Sequence, residues 1–149
     1  MVMSVQPFDK ALKALKLKKK SRVILTSAQG KVFSQADAKR LAKYDRLVFL
    51  CGRYEGVDER VAEHLADEEL SIGDYVLTGG ELAALVMADA ISRHVPGVLG
   101  KGESLEEVHG SFPQYTRPEV YKKWKVPAVL MSGNHTKIEE WRKSQQKKV

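Results

Sequence analysis

Strand-like apolar runs alternate with helical patterns along this chain, and that alternation fixes the fold class as α/β, a parallel sheet flanked by helices. Residues 22–26 (R-V-I-L-T) and 46–51 (R-L-V-F-L-C) read as buried strands, residues 68–70 as a short edge strand and residues 74–77 (D-Y-V-L) as a further strand. Phe8, Ala11, Leu12, Ala14, Leu15 and Leu17 fall roughly on one helical face over residues 7–20, with lysines opposite. Ser27 to Gly30 reads as a turn, and Ser34 with Asp37 three residues later opens a second helix reaching about Lys43. A third helix is expected over residues 57–64 and a fourth over residues 79–93. The fourth is apolar nearly all round, from Leu82 through Leu85, Val86 and Met87 to Ile91, so it is expected under the sheet or in a subunit interface. Arg93 and His94 suit its C-terminal dipole, and Pro96 stops it. No periodic element is read from Val95 to about Val126. A loop of that length in a compact domain is usually functional. Residues 135–148 read as a basic helix carrying Ile138 and Trp141.

The stretch S-I-G-D-Y-V-L-T-G-G-E, from Ser71 to Glu81, is the first candidate for a site. Glycines flank its expected strand, and Thr78 with Glu81 has the spacing of a capping box. A strand end running through glycines into a helix N-terminus leaves backbone N–H and C=O groups open to a ligand. Neither G-x-G-x-x-G nor G-x-x-x-x-G-K-[ST] is present, so the ligand is not expected to be held by its phosphates. A tight strand-to-helix turn with no ligand accounts for the same residues.

Charge is unevenly placed. Residues 1–22 hold seven Lys or Arg and one Asp, and residues 117–149 hold nine and three Glu, while the net charge of the whole is +6. Two basic ends around an acidic body suit a polyanion such as RNA, although a solvated lysine-rich surface reads the same way. No apolar run is long enough to span a membrane and no signal-peptide core opens the chain, so a cytoplasmic protein is expected. The single cysteine, Cys51, is expected to pack at a strand end. Asn134-His135-Thr136 fits a glycosylation pattern and is taken as coincidence.

Three segments then stand together: C-G-R-Y-E-G-V-D-E-R from Cys51 to Arg60, the Ser71 to Glu81 stretch, and S-R-H-V-P-G-V-L-G from Ser92 to Gly100. With Y-T-R-P-E from Tyr115 and L-M-S-G-N-H from Leu130, they closely resemble the bacterial tRNA (guanine-N1)-methyltransferases, the TrmD family, from Met1 to about Arg142. The resemblance implies the SPOUT fold, with a deep trefoil knot, over residues 1–134. Residues 135–149 would be a basic helical tail leading toward the family's C-terminal domain. It also implies S-adenosylmethionine bound against Leu25, Thr26 and Ser27, against Gly52 with Arg53, Tyr54 and Glu55, and against Ile72, Gly73, Asp74, Tyr75, Val76, Leu77, Gly79 and Gly80. Adenine is neutral, so backbone amides and an apolar slot suit it better than a phosphate cradle.

The implied reaction methylates ring nitrogen 1 of the guanosine 3′ of the anticodon. That nitrogen carries a proton at neutral pH, so a base must remove it and a cation should hold the charge growing on the 6-oxygen. The family's arginine for the second role matches Arg93. Tyr54, Glu55, Tyr115 and Arg117 are implied at the RNA, a homodimer is implied with each site built across its interface, and Mg2+ is an implied aid to catalysis with no residue assigned to it.

Three departures from the family bear on this. Met1-Val2-Met3 matches residues that close a glycine-rich loop in the family, so an incomplete sheet and an open target-base pocket are expected. The chain stops just past the helix leading to the family's C-terminal RNA-binding domain, which weakens the expected hold on tRNA. The family's catalytic aspartate, in S-x-x-E-D-S-F, falls on Val108. Glu107, Glu106 and His109 are the remaining candidate bases, with Glu107 first. The readings to separate are an active tRNA methyltransferase and a shortened relative that binds cofactor or RNA without turnover. A phosphate-binding protein is disfavoured for want of a motif.

Overall fold

The computed structural model describes residues 1–98 and 111–146, in two compact units divided between Gly100 and Lys101. The first unit runs α1 (Val5–Ala14), β1 (Ser21–Val32), α2 (Gln35–Leu41), β2 (Arg46–Cys51), α3 (Glu59–His64), β3 (Glu68–Ser71) and α4 (Glu81–Ser92). Its three strands form a parallel sheet in the order β2-β1-β3.

The burial of β1 explains its composition. Ile24 packs with Ala38 and Leu41 of α2, Leu70 of β3, and Met87 and Ile91 of α4. Val23 and Leu25, alternating with it, join Leu50 and Val61 in a second cluster, against which Phe8 and Leu12 of α1 pack. Helices therefore cover both faces, and a strand covered on both faces reads as a continuous apolar run.

Polar contacts pin the same elements. Ser34 caps α2 in a full capping box with Asp37, as its sequence spacing anticipates. The buried Asp37 carboxylate also accepts from Lys31 Nζ at 2.9 Å and Arg40 Nη2 at 3.1 Å. Arg40 reaches on to Glu68 at 2.6 Å, and Arg22 Nε meets the other Glu68 oxygen at 2.7 Å. One charge network thus ties β1, α2 and β3 together.

Several expected boundaries are corrected. Residues 74–77 form no strand. After β3 the chain turns at Gly73 (φ +146°), Tyr75 N–H donates to Gly73 C=O, and Val76 is exposed, paired with no strand among the described residues. α4 starts at Glu81 with Gly80 as its N-cap, and the Thr78/Glu81 capping box does not form. The Glu81 carboxylate instead takes its own backbone N–H and Arg53. Ser27 to Gly30 does not reverse the chain. β1 continues to Val32, with its pairing to β3 shifted so that Thr26 and Lys31 both register with Leu70. α1 ends at Ala14, before Lys16 at φ +47°, and α3 starts only at Glu59, behind an Asp58 N-cap.

In the second unit, residues 111–146, β4 (Val120–Tyr121) and β5 (Trp124–Lys125) make a hairpin inside the stretch read as aperiodic. Strands of two residues are too short for a period to show. α5 (Ala128–Met131) and α6 (His135–Gln145) follow, the latter capped by Asn134 Oδ1 accepting from Lys137 N–H. No helix among the described residues is long and apolar enough to cross a membrane.

Candidate functional site

In parallel α/β sheets, ligands bind beyond the carboxyl ends of the strands. A cavity of about 310 Å³ occupies that position in the first unit. Its walls are the irregular middle of β1 (Leu25 to Gln29), the loop after β2 (Gly52 to Val57) and the loop after β3 (Ser71 to Gly73, Tyr75 to Gly80). Three segments separated in sequence meet because β1, β2 and β3 are neighbours and parallel.

Contacts between the loops hold the cavity in shape. Gly80 N–H donates to Gly52 C=O at 2.9 Å, and Arg53 pairs with Gly79 as an isolated antiparallel bridge. Arg53 Nε donates to Glu81 Oε1 at 2.7 Å, and Glu81's own backbone amide, followed by this partner, holds its carboxyl below the ordinary range. The N-terminal segment closes the loop after β2 from outside: Met3 N–H donates to Gly56 C=O at 3.0 Å, and Asp58 N–H to Met3 C=O at 2.9 Å.

Two glycines are required here for different reasons. At Gly80 a Cβ would run into Thr26 Oγ1 and lie 3.0 Å from the Cys51 Cα, so α4 can start this close to β1 and β2 only without a side chain. Gly73 sits at φ +146°, where side chains are rarely tolerated, and a Cβ there would come within 2.6 Å of the Tyr75 ring. Thr26 donates its hydroxyl to Leu50 C=O at 3.1 Å, which satisfies a buried polar group beside the cavity floor. Cys51 ends β2 half-buried, and burial pushes its thiol up, so it behaves as packing and not as a nucleophile.

Of the residues singled out from sequence, Leu25, Thr26, Ser27, Gly52, Arg53, Tyr54, Glu55, Ile72, Gly73, Tyr75, Val76, Leu77, Gly79 and Gly80 all line this one cavity. Asp74 does not line it. Arg93 is the C-cap of α4 and lies outside the cavity wall, and the neighbouring His94 ring is 3.1 Å from the Gln35 side-chain nitrogen. Glu106, Glu107 and His109 lie outside the described residues.

Sequence reasoning missed Ala28, Gln29, Val57, Glu59, Ala62, Glu69 and Ala83 as lining residues. Ala28 and Gln29 were hidden by reading residues 27–30 as a turn. Ala83 was counted only as part of a helix apolar nearly all round.

A larger cavity, about 830 Å³, belongs to the second unit. Tyr115 and Arg117 line it with Phe112, Ile138, Trp141 and Arg142. Tyr115 and Trp141 have ring centroids 6.3 Å apart, and the Arg142 guanidinium lies 5.3 Å from the Phe112 centroid. Size alone does not make it the better candidate. It lies between the irregular segment from Phe112 to Glu119 and the helices α5 and α6 of a small unit, whereas the smaller cavity sits at the ends of parallel strands.

Comparison with known proteins bears on that choice. A family described as tRNA (Guanine-1)-methyltransferase TrmD matches residues 1–149. The chain is 51% identical over 150 residues to a tRNA (guanine-N(1)-)-methyltransferase of Staphylococcus carnosus (strain TM300), covering 97% of this chain and 61% of that one. It is 56% identical over 128 residues to the protein of that name from Dehalococcoides mccartyi (strain CBDB1), covering 83% and 52%. It is 52% identical over 152 residues to the one from Ruminiclostridium cellulolyticum, covering 97% and 65%. The chain thus spans between half and two thirds of the length of these relatives.

Proposed function

Because this chain belongs to the tRNA (guanine-1)-methyltransferase family, we propose that it binds S-adenosylmethionine in the 310 Å³ cavity and, as a homodimer, methylates ring nitrogen 1 of the guanosine 3′ of the anticodon in tRNA. The observation that carries the reading is the meeting of three loops at one strand-end cavity in a chain so similar to proteins of that name.

The residues fit the cofactor. Leu25, Ile72, Val76, Leu77 and Ala83 offer apolar wall, and the glycine-lined loops offer close backbone approach for a neutral purine. When bound, S-adenosylmethionine supplies the electrophilic methyl group. The chain's own part is to exclude water around it, to orient the guanine, and to take the proton from N1. We assign the proton to Glu107, with Glu106 and His109 as the other candidates, and the charge on the 6-oxygen to Arg93. Arg93 does not line the cavity of its own chain, which accords with a site completed by a second subunit. Tyr54, Glu55, Tyr115 and Arg117 are assigned to RNA. Mg2+ is included as an aid to catalysis and is tested by leaving it out. We take residues 1–134 as a SPOUT domain with a trefoil knot, residues 135–149 as a basic tail, and the cytoplasm as the place of action.

Calorimetry with S-adenosylmethionine, beside methyl transfer from labelled cofactor to an unmodified tRNA transcript, tests the reading. Binding that Gly73→Val abolishes, together with methyl transfer that Arg93→Ala and Glu107→Gln each cut by roughly a hundredfold, is the expected result. Cofactor binding without transfer would leave a binding protein, and no binding at all would remove the cavity from the site.

A further inference from the structure

The β4–β5 hairpin carries an aromatic and basic surface that the methyl-transfer reading does not use. Tyr121 and Trp124 are directly opposite in the ladder, with ring centroids 5.7 Å apart. Both are exposed, Tyr121 at 56% and Trp124 at 68%. Lys122 Nζ lies 5.6 Å from the Tyr121 centroid and 5.8 Å from that of Trp124. Lys123 and Lys125 complete a run of three lysines within four positions, with Glu119 the nearest acid in sequence.

This arrangement is costly for a structural hairpin. A pair of two-residue strands stabilises little by itself, and two large rings stand in water where polar residues would serve. Lys122 adopts φ +56°, a left-handed conformation that glycine or asparagine takes more readily. Backbone cost and exposed aromatic surface at one point suggest selection for a partner.

We infer that this hairpin is a stacking platform for unpaired RNA nucleotides. Bases stack on Tyr121 and Trp124 while Lys122, Lys123 and Lys125 meet the phosphates. Exposed π-faces among cations are how single strands are held without sequence readout. A duplex keeps its bases stacked inside and cannot use the rings. The choice of RNA rests on the tRNA reading above; the platform geometry does not.

The test is a fluorescence-anisotropy titration of the full chain with labelled oligouridine, with an RNA duplex of equal length and with a polyglutamate peptide. Oligouridine should bind best. Trp124→Ala should weaken it roughly tenfold, and Trp124→Phe, which keeps a π-face, should stay near the parent. Replacing Lys122, Lys123 and Lys125 by Ala should make the slope of log affinity against log salt shallower by about two. Circular dichroism of each variant should match the parent. Unchanged oligouridine affinity in Trp124→Ala, stronger binding of the duplex, or equal binding of polyglutamate would each overturn the platform. Failure of methyl transfer alone would sink the catalytic reading and leave the oligouridine result standing.

Discussion

Arg53 and Glu81 join the loop after β2 to the first turn of α4, guanidinium Nε to carboxylate at 2.7 Å. Both side chains are largely exposed, so the pair adds little to overall stability. Its consequence is local, because Gly79 and Gly80, which end the loop after β3, directly precede Glu81. Glu81→Gln should therefore leave the melting temperature nearly unchanged and weaken S-adenosylmethionine binding by no more than about fivefold, the scale of an exposed ion pair. Calorimetry with a parallel thermal melt checks both halves. A large drop in melting temperature would mean that the contact holds the fold and not the cavity.

Gly80→Ala tests the close approach of α4 to the sheet. The added methyl meets Thr26 Oγ1 and the Cys51 Cα, one of them backbone that cannot step aside. The expected cost is about 1–3 kcal/mol, typical of forcing a methyl into filled space, with loss of the Gly80–Gly52 hydrogen bond and of cofactor binding. Thr26→Ser in the same chain leaves the hydroxyl in place and should not restore it. Urea unfolding measures the first effect and calorimetry the second.

Asp37 should give the fold an acid-side dependence. Burial alone would push its carboxyl up, but hydrogen bonds from Ser34, Lys31 and Arg40 outweigh that and hold it well below the usual carboxylate range. A carboxyl depressed in the folded state binds fewer protons than in the unfolded chain at acid pH, so its stabilising effect is full above the unfolded value near pH 4 and is lost as pH falls further. Glu68 is lowered too, its partners Arg40 and Arg22 outweighing desolvation, and adds in the same direction. Asp37→Asn should cost about 2 kcal/mol at pH 7, the scale of a damaged cap plus hydrogen bonds to charged groups. The gap between parent and variant should narrow below about pH 4. Urea unfolding at pH 7, 5 and 3.5 would show it, and a gap independent of pH would remove Asp37 from the network.

What could be read from the sequence follows from where tertiary contacts agree with local pattern. β2 and the start of β1 were legible because burial on both faces leaves continuous apolar runs. α2 was legible because its capping box is local chemistry. Residues 74–77 misled because Tyr75, Val76 and Leu77 have strand-forming side chains, while among the described residues they pair with no strand. The composition of that loop reflects cavity lining and not a ladder. The shifted pairing between Thr26 and Lys31 depends on β3, some forty residues away, and leaves no periodic trace. The cavity residues themselves came from a resemblance in motifs. Periodicity alone pointed only to the glycine-flanked stretch from Ser71 to Glu81.

α4 carries the last prediction. Ala83, Met87 and Ile91 recur at four-residue spacing and are buried. Leu82, Leu85 and Val86 occupy another face and are 58%, 65% and 51% exposed. A helix apolar on two faces with one covered still has surface to bury. A second copy of this chain is the occupant proposed above, through a self-complementary two-fold contact. Sedimentation at micromolar concentration should then give twice the 16.7 kDa chain mass. Leu85→Glu places a charge at the most exposed of these three positions, so it should return the species to a single chain mass. It should leave the circular dichroism spectrum unchanged, because Leu85 touches neither buried cluster. Methyl transfer should fall with the dimer if Arg93 works in the partner's site. Mixing inactive Leu85→Glu and Arg93→Ala chains should not restore it. A parent chain that sediments as a monomer, or a Leu85→Glu dimer, would remove α4 from the interface and leave Arg93 without a site to complete.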